Sequence, residues 1–501
     1  MNPPLVAAAV AFAAAMACYV SSLPLQVGHG DTAEFQTVPY ILGIAHPTGF
    51  PAFTLAGWVF SHLVAVSTVA WRMNAFAAIC TALTAAGVVL LATALGADTL
   101  AALGAALTFA FGSVVWHGAA YASPHTLSAL LIVAALIGSV SFAHSGDRRT
   151  FFAACGCAGL GLATQPETIW VLPALAVSAL WQPNVIRPRT LALSSTLLLA
   201  PLLLYAYLPI RSAVVAAQRL DPTAAAPLFG AGSVDWDYNH PRTLDGFLDE
   251  VLGRHERAGS SVARSLDPRT IFLAGELWST HAAEQFNRWF LLLAAVGCLA
   301  LALRDRRALC IIVAGTLGGL MFAYTFRYDV ELYRYFLVSS AVIAALAAAS
   351  TRLPLPRTRP VIVVAAASIV LALLTVSAWL NNRGLIAELR FGGGQSTIDA
   401  VRRDVPDGAI IVTSWYDATT LGYGAAVEHA LGSRTVVHGL PYQFVDQFPS
   451  WARVRRIVIF GWGNELGLDA VTPSWLHELP STLRFYRIVE VIPPQGRALH
   501  R

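Results

Sequence analysis

The sequence predicts a mainly α-helical, polytopic membrane protein with about eleven transmembrane helices and a small C-terminal α/β domain. Three observations carry that expectation. Of 501 residues, 56% are hydrophobic and only 12% are charged, about half the ~25% charged content of a soluble domain. Apolar stretches of membrane-crossing length recur along the chain, each near the ~20 residues a span requires. Arginines cluster in the short connections between them, at Arg148/Arg149, Arg187/Arg189, Arg304/Arg306/Arg307 and Arg352/Arg357/Arg359. This composition excludes a soluble enzyme and a disordered chain. A net charge of +4 without a clustered basic surface excludes a nucleic-acid binder. Every basic side chain is Arg and none is Lys, a usage that fits a GC-rich bacterial genome. The expected location is therefore a bacterial cytoplasmic membrane.

The apolar stretches lie at 4–23, 72–95, 100–116, 125–143, 151–165, 168–182, 190–210, 286–303, 308–325, 334–350 and 360–380. No basic residue precedes the first of them, so it reads as an uncleaved helix rather than a secretory signal. Gln165-Pro166-Glu167 separates two short stretches and predicts broken or tilted helices there. Segment 50–67 is also apolar, but Gly49 and Pro51 open it and His62 interrupts it. It is expected to lie along the outer membrane face without crossing. An even number of spans then separates each arginine cluster from the next, which puts all of them in the cytoplasm. Loop 24–71, loop 211–285 and the tail fall on the opposite side.

The expected organisation is a membrane domain, 1–390, followed by an extracytoplasmic α/β domain, 391–501. In the tail a helix-like QSTIDAVRRDV leads through Pro-Asp-Gly to AIIVTS, RTVVHG, RRIVIFGW and FYRIVEVI, four apolar runs of strand length. The six cysteines all sit in apolar runs and make neither a disulfide framework nor a zinc pattern. No phosphate-binding glycine loop is present, so ATP-driven transport by this chain alone is not expected.

The first outer loop, GHGDTAEFQTVPYILGIAHPTGFPAFTLAGW, is the most informative stretch. Asp31 and Glu34 follow directly on a membrane span, where a carboxylate is costly unless paired or used. The same spacing would also make a capping box, with Asp31 as N-cap and Glu34 three residues on. Spacing alone leaves both open.

The motif GDTAEFQTVPYILGIAHPTGFPAFTLAG resembles the Gly-Asp-Ser-Gly-Glu-Leu…Leu-Gly-Ile-Ala-His-Pro-Pro-Gly-Tyr-Pro pattern of a family first catalogued as a domain of unknown function. One eukaryotic member of that family is a transmembrane protein O-mannosyltransferase. WRMNAFAAICTAL, LLLYAYLPIRSA, DWDYNHPRTLDGFLDEVLGR and RYDVELYRYFL extend the resemblance through most of the membrane domain. It implies the GT-C architecture of glycosyltransferases that use polyprenyl-phosphate sugars, with an acidic residue after the first span acting in catalysis. The chain departs from the family at Thr32, Ala33, Ser123, His125 and Pro166, so the resemblance does not carry over the identity of donor or acceptor.

On this reading Asp31 is the expected general base, with a pKa raised by partial desolvation at the membrane surface. Direct displacement would invert the anomeric centre. Arg211 and Arg334 lie in matched motifs and could meet the leaving phosphate bidentately, and Arg72 opens another span. A lone interfacial arginine more often only snorkels. Glu34 could bind a sugar hydroxyl, orient Asp31 or help hold a divalent ion. His46 could donate a hydrogen bond or shape a turn. Trp236 and Asp237 could stack on and bond a sugar, although an interfacial aromatic is more often an anchor. Asp329 could touch substrate or join Glu331, Arg327 and Arg334 in a structural network. The expected partners are a polyprenyl-phosphate-linked sugar, an exported protein or envelope-glycan acceptor, and the lipid bilayer; no nucleic acid is expected. A transporter or flippase of lipid-linked sugars is the competing class, but it would carry its acidic site near the bilayer midplane.

Overall fold

The computed structural model describes residues 2–185, 187–218, 236–254, 268–325, 332–354, 360–463 and 466–494. Helix α1 (Pro3–Ser22) and α4 (Val69–Ala94) bracket the first loop, which itself forms α2 (Gly30–Ile41) and α3 (Pro51–Leu63). Then follow α5 (Thr99–Phe111), α6 (Ser113–Ala119), α7 (Pro124–Ser145) and α8 (Arg148–Thr164). Every apolar stretch marked above as a span is helical. Among the described residues six helices are long and apolar enough to cross a membrane, or eight when each of two bent pairs counts as one. The expected eleven therefore includes shorter pieces, such as α8 at 17 residues and the apolar segment Pro166–Trp181.

The breaks have local causes. Gln165 adopts an extended conformation (φ −154°, ψ 127°) ahead of Pro166, because a residue before proline is pushed out of the α region. α5 and α6 meet at a 67° bend, with Gly112 extended between them. Gln285 fills that bend: its Nε2 donates to the Phe109 carbonyl at 2.9 Å and its Oε1 accepts from the Val115 amide at 3.0 Å. Backbone groups stranded by the break are thus satisfied inside the protein, as an apolar surround demands. A Cβ at Gly112 would overlap the Gln285 carboxamide.

Segment 50–67 resolves into the 13-residue α3. At ~1.5 Å per residue it is about 20 Å long, too short for a hydrocarbon layer of ~30 Å. The arginine-marked connections gather at one end of the bundle. Asp305 receives His144 Nε2 at 2.9 Å and Arg352 Nη1 at 3.4 Å, Arg352 also donates to the Leu95 carbonyl, and Gln182 donates to the Ala143 carbonyl.

The C-terminal unit opens with the amphipathic helix Gly394–Asp404 and holds a five-stranded sheet of order β2-β1-β3-β5-β4. Strands β1 (Ile410–Thr413), β2 (Thr435–His438) and β3 (Ile457–Trp462) run parallel, while β5 (Tyr486–Val491) runs antiparallel to β3 and to β4 (Leu476–Leu479). The four strand-like runs in the tail supply β1, β2, β3 and β5; β4 carries the sequence LHEL, whose polar residues gave it no strand signature. This unit shares one hydrophobic core with the first loop, in which Phe35, Val38 and Phe53 join Ile398, Leu421 and Phe460. Hydrogen bonds fasten the two together. Gly394 donates to the Val27 carbonyl at 3.0 Å, Thr420 Oγ1 to the Gly28 carbonyl at 3.0 Å, and the Ala70 amide to the Tyr423 hydroxyl at 3.1 Å.

Two outcomes are expected. Gln285→Ala should lower stability by about 1–3 kcal/mol, because it strands two buried backbone groups, read as a fall in the detergent-solubilised unfolding midpoint. Reporters fused after residue 26 and after residue 67 should label the same side of the membrane; opposite sides would mean that α3 crosses.

Candidate active site at the first-loop helix

The sequence of α2, GDTAEFQTVPYI, is set in place by a buried polar network. Asn74, from the WRMN stretch of α4, accepts from Gln36 Nε2 at 2.9 Å and from the Ala122 amide at 3.0 Å, and donates to the Pro24 carbonyl at 3.2 Å. Gln36 Oε1 in turn accepts from the Gly28 amide at 2.9 Å. α1, α2, α4 and the start of α7 are thereby tied at one point.

Asp31 lies in the first turn of α2, but the N-cap is His29, and no side chain caps the helix. The capping-box alternative therefore does not hold. The Asp31 oxygens meet two donors far away in sequence: Arg334 Nη1 lies 3.1 Å from Oδ2, and Trp415 Nε1 donates to Oδ1 at 3.0 Å. The Asp31 side chain is 27% exposed and that of Arg334 only 5%. Burial by itself pushes the Asp31 carboxyl up, but His46, Arg334 and the Trp415 N–H together outweigh it and hold the pKa at about 2. This corrects the expectation of a raised value: desolvation is present, and nearby positive charge overrides it.

Glu34 is buried one turn along, where Oε1 accepts from the His46 amide at 2.8 Å and Oε2 meets His46 Nδ1. Burial, the largest influence, pushes the Glu34 carboxyl up. Burial alone would lower His46, but Glu34 first and Asp31 second lift it to about 10. His46 is accordingly an imidazolium clamped to Glu34, and Glu34 serves to fix the loop rather than present an open carboxylate. Among the described residues no group of three or more His, Cys, Asp or Glu could hold a metal ion. Asp31 and Glu34 already face protein cations, an arrangement that does not fit a divalent ion between them.

The remaining expected site residues separate into those at this centre and those that brace it. Arg334 is at the centre. Arg211 is not: its Nε and Nη2 donate to the Leu42 and Ile41 carbonyls at 2.5 and 3.1 Å, occupying the negative end of α2. Arg72 donates to the Ser61, Val66 and Ser67 carbonyls and staples the turn between α3 and α4. Trp236 is buried beneath the loop, and its carbonyl accepts from the Ile44 amide at 2.7 Å. Asp237 is also buried, with Oδ2 facing Arg242 Nη1 at 2.8 Å and His240 Nδ1 at 3.1 Å. Asp329 lies outside the described residues. Trp415 and Asn74 were missed as site residues, although Asn74 sits inside a quoted motif.

The pKa values set a stability window. The Asp31 contribution is complete above the unfolded value near ~3.9 and is lost as pH falls through about 2. The His46 contribution is complete below ~6.5 and is lost as pH rises through about 10. Both contributions are complete only between those unfolded-state values, so the loss of the Asp31 contribution should lower the unfolding midpoint on the acid side and the loss of the His46 contribution should lower it on the alkaline side. His46→Gln should remove the alkaline fall, as measured by a pH series of melting curves.

Comparisons with known proteins bear on the fold. Residues 31–186 match the model of the protein O-mannosyl-transferase TMEM260 N-terminal domain. The mouse protein O-mannosyl-transferase TMEM260 is 28% identical over 358 residues, covering 67% of this chain and 48% of that protein. The Dictyostelium discoideum protein of the same name is 42% identical over 50 residues, 10% of this chain and 6% of that protein. This chain spans about half the length of the mouse relative. Among solved structures, apo ArnT from Cupriavidus metallidurans superposes with a TM-score of 0.55 at 14% identity, over 97% of this chain and 99% of ArnT. The Archaeoglobus fulgidus oligosaccharyltransferase tethered to an acceptor peptide gives 0.53 at 14% identity, over 91% of this chain and 69% of that one. ArnT bound to undecaprenyl phosphate gives 0.52 at 12% identity, over 98% of each chain. These likenesses establish the fold. The chain is a multi-pass membrane protein of GT-C fold that resembles the TMEM260 protein O-mannosyltransferases, with Asp31 the first residue of the region that matches their N-terminal domain.

Proposed function

We propose that this chain transfers a hexose, mannose by likeness to its named relatives, from a polyprenyl phosphate to an acceptor hydroxyl on an exported protein. In this reading the site faces outward from a bacterial cytoplasmic membrane. The observation that carries it is the meeting of Asp31 with Arg334: one group can accept a proton and the other can meet a phosphate, at a single point. Three further observations support it. An apolar cavity of about 410 Å³, lined by residues such as Ala294, Ile312, Leu317 and Val342, has the chemistry of a prenyl chain. It shares Thr316, Leu320 and Ser339 with a small pocket lined by Glu167 and Tyr335, the neighbour of Arg334. ArnT, of like fold, is known bound to undecaprenyl phosphate, and an oligosaccharyltransferase of like fold is known with an acceptor peptide.

The chemistry follows from the charges. The acceptor oxygen attacks the anomeric carbon, the carbon–oxygen bond to phosphate breaks, and the acceptor proton passes to Asp31. The electron pair leaves with the phosphate, which Arg334 neutralises. A carboxylate held at about 2 is a weak base at rest. As Arg334 turns to the phosphate, Asp31 loses part of its stabilising charge and gains basicity at the moment of transfer. A single displacement inverts the anomeric centre.

Purified protein in proteoliposomes, given a mannosyl polyprenyl phosphate and a Ser/Thr peptide, should glycosylate the peptide. Asp31→Asn should lower the rate by about 10²-fold or more while leaving the melting curve cooperative. Peptide glycosylation at wild-type rate by Asp31→Asn would refute the base assignment. Mass spectrometry of exported proteins and envelope glycans from a deletion strain decides the acceptor: loss of hexose from glycan alone would move the assignment from protein to envelope.

A further inference from the structure

We propose that Trp415 is a positioning residue of the Asp31 centre, and that the C-terminal α/β unit is thereby a working part of the active site. The inference rests on the glycosyltransferase reading above for its catalytic consequence and on geometry for the contact itself. Trp415 and Asp31 lie 384 residues apart, yet the indole Nε1 donates to Asp31 Oδ1 at 3.0 Å. Arg334 takes the other oxygen. With one donor on each oxygen, the carboxylate plane is fixed, and a base must be aimed as well as charged.

The two donors are not equivalent. Arg334 is a cation that a phosphate can recruit. Trp415 is a neutral N–H with no affinity of that kind, so it can keep Asp31 oriented when Arg334 is drawn to the leaving group. Its own rotation is restricted on three sides. His46, Tyr238 and His438 stand edge-on or tilted to its ring, with centroids at 5.9, 6.0 and 5.0 Å. These neighbours come from the first loop, the second loop and β2, so the indole is a meeting point of three parts of the chain. Its helix, Trp415–Ala426, starts directly after β1 and is bolted to the first loop through Thr420 and Tyr423. A tryptophan at a half-buried seam would also pack well with no role beyond volume. What separates the two roles is the single N–H.

The test replaces that N–H and little else. In the full-length protein, Trp415→Phe keeps an aromatic ring, and replacement of Trp415 by benzothienylalanine keeps the bicyclic shape while exchanging N–H for sulfur. Losing a hydrogen bond to a charged group should lower kcat by about ten-fold or more, with KM for donor and acceptor nearly unchanged. The acid limb of the pH–kcat profile should move to higher pH, because Asp31 loses a donor while Arg334, His46 and Glu34 stay in place. A structural role alone would not move that limb. An unaltered kcat and acid limb in the benzothienylalanine protein overturns the inference, whether or not Trp415→Phe folds. A wild-type protein without transferase activity overturns the glycosyltransferase reading instead. In that case the Asp31 carboxylate band, isolated as the infrared difference from Asp31→Asn, still decides on the contact: it should titrate at higher pH in the benzothienylalanine protein, and an unmoved titration counts against Trp415.

Discussion

A carboxylate at the edge of an apolar bundle has to be neutralised by something, and the rest of this structure is arranged around how Asp31 is neutralised. Arg334 supplies the charge and Trp415 a second donor, while Glu34 holds the His46 imidazolium close by. Each of these two carboxylates thus faces a cation. That balance keeps the centre stable in a partly dry setting, where an uncompensated charge would cost several kcal/mol. It also makes the centre responsive, because any anion that competes for Arg334 changes the electrostatics of Asp31.

Arginine shows how one residue type serves opposite ends. Arg72 and Arg211 direct their N–H groups to main-chain carbonyls, which shapes the loop around α2. Arg334 meets a side-chain carboxylate instead. A short motif cannot distinguish these tasks, because whether a guanidinium meets a carbonyl or a carboxylate depends on what the fold brings opposite it. The same holds for Trp236 and Asp237, whose residue types suit sugar binding but which lie buried under the loop.

Much of the fold was legible because hydropathy reports it directly. The apolar stretches became helices, Pro166 broke the chain where the backbone rule says it must, and the proline-opened segment 50–67 became the short α3. The position of Asp31 was legible because an acidic residue immediately after a span is unusual. Its ionisation was not, since Arg334 and His46 approach it only through tertiary structure. Trp415 left no signal: a tryptophan in a tail read as a separate domain gives no hint that it reaches position 31. β4 was hidden for a simpler reason, its polar residues having erased the alternation that marks a half-buried strand.

The core shared by the first loop and the C-terminal unit bears on biogenesis. Asp31 leaves the ribosome before Arg334, and Arg334 before Trp415. A growing chain therefore carries its carboxylate through membrane insertion without either donor, and the loop lacks the C-terminal apolar side chains it packs against. The centre comes together only when the segments carrying Arg334 and Trp415 have been delivered to the same side as residue 31, so a polypeptide interrupted before Trp415 sits in the bilayer with an unassembled site.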